Sequence, residues 1–488
     1  MTTLLLALAL TACDTEKTDP AVTAGEDTQA TPDSDAPVDE GDTSDGGGGD
    51  GSDTDDTEAE TTDTAVDTGT LPEERPPVSF AGAPPKNILV VTWDTTRPDL
   101  FGHYTSEDTT PRLDSVLEGA MVLENHRSCS NWTYASMICV QTGSRDVVGG
   151  FVPSTSIETP FVPETTLLVS EVIQAMGYQT LLAGDQPFMS PENDMSRGFD
   201  QAEVDREWDA EMVTDTALSM MATLDPGEPF YAHVHHLDAH TPYAPPERYL
   251  DGLDELPPIG FDLDRSATYT ALQNEFRSLD AETQGRIREH ILFRYLAGLR
   301  YLDDELGRLL DGMEGMGLMD DTLIIFLTDH GEQLAENGDI GHAYNLYDYE
   351  NKSIVAFNGP GLTPGAFAGP TTHSDLWPSV FEAMGWEAPR EFSGTPVGQR
   401  PDDTVRYSMR HQGRDTFQAI ERSGVKMIYW WEDGEKDLFR LADDPGEVND
   451  VYDPEDPDVI ALWELLLPEI DRVIAIHPAY DSPVDPGP

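Results

Sequence analysis

Three short stretches carry the residue types of metal and ester chemistry. TDHGE sets a carboxylate beside an imidazole, Asp329 and His330, after an apolar run, and Asp94 closes the apolar run NILVVTW. Mixed oxygen and nitrogen donors suit Mn2+, Zn2+ or, less well, Ca2+, although an Asp-His pair by itself is equally a surface turn. HHLDAHTPYAPP adds His236, Asp238 and His240 at every second position. These three share a face if the strand continues; otherwise the segment is a solvated loop pinned by its prolines. In CSNWTYASMICVQTGS the Thr133 hydroxyl stands at the start of a short helix, between Cys129 and Cys139. It is there either as a helix cap or as a nucleophile, which an alcohol becomes only beside a base or a cation.

The flanking patterns say what positions these residues. NILVVTWD, QTLLAGD, PFYAHVHHLD and TLIIFLTDH read as buried strands. TPRLDSVLEG, TTLLVSEVIQAMG closed by Gly177, a stretch from about Asp205 to Leu224 and another from about Ala281 to Gly312 read as helices. Alternation of this kind predicts an α/β fold, a mostly parallel central sheet with helices on both faces. Ligands in such folds bind beyond the carboxyl ends of the strands, where Asp94, Asp238, Asp329 and His330 fall. After about Asp403 the pattern changes to short strands with Gly turns, RSG and EDGE, and then DPDVIALWELLLPEIDRVIAI. This predicts a small C-terminal antiparallel layer with a closing helix over 403–488, appended to the main domain at 77–402.

The chain of 488 residues is long enough to bury a sizeable core. MTTLLLALALTAC, residues 1–13, has an apolar run of signal-peptide length, and its end resembles a bacterial lipobox with Cys13 as the lipidated residue. Residues 14–76, rich in Asp, Thr and Gly, cannot bury enough surface to offset chain entropy and form an acidic tether. The expectation is a lipid-anchored, extracytoplasmic protein of the bacterial cell envelope, held to the membrane through the anchor alone. Of 93 acids and 28 bases, 21 and 2 lie in that tether, leaving 72 acids against 26 bases elsewhere. A folded part of that sign is repelled by nucleic acid. In an exported protein Cys129 and Cys139 either close a small disulfide around Thr133 or remain buried thiols.

NILVVTWDTTRPDLFGHY, TPRLDSVLEGAMVLEN, NWTYASMICVQTG, HHLDAHTPYAPP, LTDHGEQLAENG, GHAYNLYDYENKSIVAFNGPG and RSGVKMIYW with DLFRLADDPGEVND resemble, in order, the blocks of the sulfatase family within the alkaline phosphatase superfamily. Family nucleophiles begin C/S-x-P-S-R, ten residues before the Gly of a Thr-Gly pair. Counting back from Gly143 reaches Thr133, with Ala135 for the proline, Ser136 matching and Met137 for the arginine. Neither cysteine has the context for conversion to formylglycine, so the chain resembles relatives with an unmodified threonine nucleophile. The resemblance implies one divalent ion held by Asp94, Thr133, Asp329 and His330. Thr95 stands where many members have a second Asp, which favours Mn2+, with Zn2+ or Ca2+ as alternatives. It further implies His240 near the transferred group and His342 as the proton donor to the leaving oxygen. His236, Asp238 and Arg97 are substrate-binding candidates, Arg97 the weakest.

Formylglycine hydrate sheds sulfate by elimination, a route closed to threonine, whose adduct must be displaced by water or another acceptor. In-line displacement suits phosphothreonine, so the sequence alone favours a phosphoester hydrolase or phosphotransferase on a small-molecule, glycan or lipid anionic ester. The alternatives are a sulfuric ester hydrolase on sulfated glycans and a catalytically silent lipoprotein that binds glycans or anions.

Overall fold

The computed structural model describes residues 76–105, 107–145, 162, 164–412 and 415–476. Cys13, the signal segment and the tether up to Arg75 lie outside the described residues. The strands are β1 (Asn87–Trp93), β2 (Met121–Arg127), β3 (Gln179–Gly184), β4 (Gln201–Val204), β5 (Phe230–His236), β6 (Thr322–Thr328), the short pair β7 (Gln333–Leu334) and β8 (Ile340–Gly341), β9 (Lys352–Asn358), β10 (Gly365–Phe367) and β11 (Thr371–Thr372). The central sheet runs β10-β2-β9-β6-β1-β5-β3-β4, with β11 also on β2. Only β9 is antiparallel to its neighbours. β1 lies in register between β5 and β6, so Trp93, Thr328 and His236 end together and the segments after them share one rim.

The helices are α1 (Pro111–Glu118), α2 (Thr133–Thr142), α3 (Val169–Ala175), α4 (Ala210–Met221), α5 (Ser266–Glu275), α6 (Ala281–Gly315), α7 (Asp348–Asn351) and α8 (Leu376–Met384). Strand alternation sorts them into two layers. Leu89, Val91 and Trp93 of β1 pack with residues of α1, α4 and α6, whereas Ile88 and Val90 pack with residues of α2, α3 and α8. The doubly covered, mostly parallel sheet is therefore the predicted one. Among the described residues no helix is long and apolar enough to cross a membrane.

β12 (Arg406–Gln412), β13 (Asp415–Arg422), β14 (Val425–Trp430) and β15 (Lys436–Arg440) form the antiparallel sheet, and α9 (Pro457–Ile476) closes it. Ser423 and Gly424 both have positive φ, the geometry of a two-residue hairpin turn whose twist matches the strands. Residues Leu71–Pro488 form one unit, so this layer is not a separate body. Some elements depart from the sequence reading. The stretch from about Asp205 becomes helical only at Ala210, because Asp209 caps it by accepting from Met212 N–H. β2 is not marked by the pattern: its second half, ENHR, is polar and carries a register shift between Leu123 and His126.

Candidate active site

Asp94 and Asp329 each follow the last residue of adjacent parallel strands, β1 and β6, which brings their carboxylates to one point on the rim. The turn after Asp94 is strained: Thr95, β-branched and fully buried, has φ 55°. Two contacts hold it there. Thr95 N–H donates to Asp329 Oδ1 (3.0 Å), and the Tyr295 hydroxyl of α6 donates to Thr95 O (2.8 Å) while accepting from Arg97 N–H (2.9 Å). The helix that covers one face of the sheet thus fixes the exit of its central strand.

Thr133 is the first residue of α2, all ten of whose residues are buried. It is not the cap. Trp132 occupies that position, and no side chain caps the helix. The Thr133 hydroxyl instead lies 3.2 Å from Asp94 Oδ2 and 3.3 Å from His330 Nε2. Ser136, one turn on, donates to Asp329 O (2.7 Å) and so ties α2 to the end of β6. Cys129 and Cys139 are joined as a disulfide that encloses the segment carrying Thr133.

Asp94, Asp329 and His330, all buried, each offer a ligand atom within 4.8 Å of the others. Each is anchored on one side and open on the other. Asp94 Oδ2 accepts from Gln186 Nε2 (2.7 Å) and meets His235 Nε2 (3.3 Å), while Oδ1 is buried without a protein partner. Asp329 Oδ1 accepts from Thr95 and His330 N–H, and its Oδ2 has none. The His330 Nδ1–H donates to Gly331 O (2.9 Å), which fixes the tautomer and leaves the Nε2 lone pair facing the cluster. Burial and the charge of Asp94 push Asp329 well above the carboxylate range. Burial acts on Asp94 in the same direction, but His235, His240 and His330 outweigh it and hold Asp94 well below that range. Burial, with His342, lowers His330 to about 3, so the ring is a neutral donor. Two carboxylates with orphaned oxygens beside a neutral imidazole and a hydroxyl fit a divalent cation.

The remaining candidates divide. His240 and His342 reach the centre: their rings are 4.9 Å apart, and His342 is 4.6 Å from His330. His342 Nδ1 lies 3.1 Å from Glu332 Oε2, whose other oxygen accepts from the Tyr243 hydroxyl. β5 ends at His236, so His236, Asp238 and His240 do not share a strand face. His236 turns its Nε2 to Thr214 of α4, 3.4 Å away, and its predecessor His235 meets Asp94. Burial and the charge of Asp209 raise Asp238 to about 7. Arg97 is ion-paired with Asp99 (2.7 Å) and Glu336 and stacks over Tyr349, so its charge is spent on these partners. His235, Gln186 and Glu332 escaped the sequence reading. The alternation within HVHH signalled His235; nothing local signalled Gln186.

A family model described as Sulfatase matches residues 86–386. The chain belongs to the sulfatase family. Among curated sulfatases, the choline-sulfatase of Rhizobium meliloti (strain 1021) is 29% identical over 166 residues, 32% of each chain. The N-acetylglucosamine-6-O-sulfatase of Bacteroides thetaiotaomicron is 20% identical over 469 residues, covering 75% of this chain and 82% of that one. The matched stretches span half or less of the length of several other curated relatives. A solved structure, BT4656 in complex with its substrate D-glucosamine-2-N,6-O-disulfate, superposes with a TM-score of 0.67 at 17% identity, covering 81% of this chain and 99% of that one. This sulfatase fold is thus carried by a chain whose position 133 is threonine.

Proposed function

We propose that the protein is a metal-dependent hydrolase of sulfate esters, with carbohydrate sulfates as its substrate class, acting through a covalent adduct on Thr133. The observation that carries this is the Thr133 hydroxyl, which points away from its own helix and lies against both Asp94 and His330. The substrate class rests on the relatives, which include an N-acetylglucosamine-6-O-sulfatase.

Asp94, Asp329 and His330 would hold the ion, with the Thr133 hydroxyl as a fourth donor; Mn2+ is the first choice and Zn2+ or Ca2+ the alternatives. When bound, a divalent cation supplies the charge that lets the Thr133 hydroxyl give its proton to water. Thr133 Oγ1 then bonds to the central atom of the ester, and the bond to the leaving oxygen breaks with its electron pair on that oxygen. His342, held by Glu332 and lowered to about 3 by burial and His240, is neutral before the reaction; it takes up the proton that Thr133 has released to water and passes it to that oxygen, and His240 lines the same side. The first-turn amides of α2 have no side-chain cap and favour an anion beside Thr133. Water next displaces Thr133 Oγ1 and returns a proton to the imidazole. Cys13 and the acidic tether would hold this centre outside the cytoplasm, on an envelope membrane.

Threonine itself favours a second reading. Without a second hydroxyl on the same carbon its adduct cannot eliminate sulfate, and in-line displacement is the familiar fate of a phosphothreonine. The test is turnover by the full-length protein, with Mn2+, Zn2+ or Ca2+, of 4-nitrophenyl sulfate, glucosamine-6-sulfate, 4-nitrophenyl phosphate, a phosphodiester and a phosphonate ester. Preference for sulfates with a sulfated Thr133 by intact mass supports the first reading, and preference for phosphorus esters with phosphothreonine supports the second. No turnover above Thr133→Ala on any of them, and no adduct, would leave a binding protein.

A further inference from the structure

Two side chains outside the Asp94, Asp329 and His330 cluster touch Asp94. Gln186 follows β3 and His235 is the penultimate residue of β5; both are buried, and both place a nitrogen on the same oxygen, Asp94 Oδ2, at 2.7 and 3.3 Å. The Thr133 hydroxyl is the third group on that atom. Asp94 Oδ1 is the oxygen left without a protein partner. The backbone does the same to Asp329, where two N–H groups occupy Oδ1 and leave Oδ2. Position 95, a threonine, brings no further carboxylate, and its hydroxyl donates to Asp94 O (2.8 Å).

Such a site offers one oxygen from each acid, one imidazole nitrogen and one hydroxyl. Ca2+ takes roughly six to eight oxygen ligands, often with a bidentate carboxylate, and is poorly served by it. A smaller ion that accepts nitrogen and a low protein-donor count is well served. We propose that Gln186 and His235 are metal-selectivity residues: by occupying Asp94 Oδ2 they keep Asp94 monodentate and set the centre for Mn2+ or Zn2+ against Ca2+. This rests on the metal centre described above and adds to it two residues with a defined role.

The orienting contacts around metal ligands typically change affinity about 10–100-fold when removed, which sets the scale of the test. The full-length protein, stripped with a chelator and dialysed, is titrated calorimetrically with MnCl2, ZnCl2 and CaCl2 in turn. The wild type is expected to bind Mn2+ and Zn2+ at least about ten-fold tighter than Ca2+. Gln186→Leu and His235→Asn are each expected to shrink that ratio by roughly ten-fold, as Asp94 Oδ2 becomes free for a larger ion. Gln186→Glu, nearly isosteric, brings a further oxygen ligand and should raise Ca2+ affinity outright, which keeps the test decisive if His235→Asn does not fold. A wild type that prefers Ca2+, or variants that melt like the wild type and keep its ratio, would overturn the selectivity role while leaving the metal centre intact. Failure of the wild type to bind any of the three ions would overturn both.

Discussion

Thr133 Oγ1 and His330 Nε2 stand 3.3 Å apart although 197 residues separate them in the chain. The lone pair of His330 is aimed there because the opposite ring nitrogen is committed to Gly331 O. The hydroxyl is held by packing, since α2 is buried over its whole length and the γ-methyl of a β-branched residue restricts χ1.

Thr133→Ser should therefore retain turnover within roughly ten-fold of wild type, because the hydroxyl survives and only its rotamer is freed. Thr133→Ala should lose at least about a thousand-fold in kcat and form no adduct. Steady-state kinetics with intact mass after quenching read both. Equal activity in Thr133→Ala would remove threonine from the chemistry.

The Cys129–Cys139 disulfide closes a loop of ten residues' separation around Thr133. Loop-closure entropy puts its contribution at about 3 kcal/mol, so replacing both cysteines with alanine should lower unfolding stability by roughly that amount. Urea denaturation of the full-length variant measures it. The loss in turnover should exceed what the unfolded fraction explains, because the loop orients Thr133.

Glu350 of α7 is fully buried, accepting from Asn131 Nδ2 (2.8 Å) and Tyr344 N–H (3.1 Å). Burial outweighs these bonds and pushes its carboxyl up from 4.5 to about 8. The folded state thus binds this proton more tightly than the unfolded chain. The stabilisation is complete below the unfolded value and is lost as pH rises through about 8. Melting temperatures should fall between about pH 5 and about pH 9, and Glu350→Gln should flatten that decline. A parallel decline in the variant would assign the effect to other groups.

The formal net charge is -65, and 72 acids against 26 bases remain outside the tether. Repulsion between like charges opposes compaction and is screened over a shorter range as salt increases. The melting temperature should rise between about 0.05 M and about 1 M NaCl. A midpoint insensitive to salt would show that the acids are already compensated by local partners.

Local pattern was sufficient for the framework. Continuous apolar runs such as TLIIFLT mark strands buried on both faces, and a parallel sheet puts the ends of such strands on one rim, so Asp94 and Asp329 were placeable without coordinates. The alternating C-terminal strands with their Gly turns were equally readable. What the sequence could not determine is which atom of each side chain is left open. His235 rather than His236 meets Asp94 because successive side chains alternate across the sheet and the register of β5 on β1 sets His235 beside it. Gln186 arrives from the turn after β3, 92 residues on from Asp94, and Arg97 is paired with a glutamate 239 residues on. Strand register and long-range pairing depend on the packed sheet as a whole, and only that packing decides which donors and acceptors are consumed and which remain open.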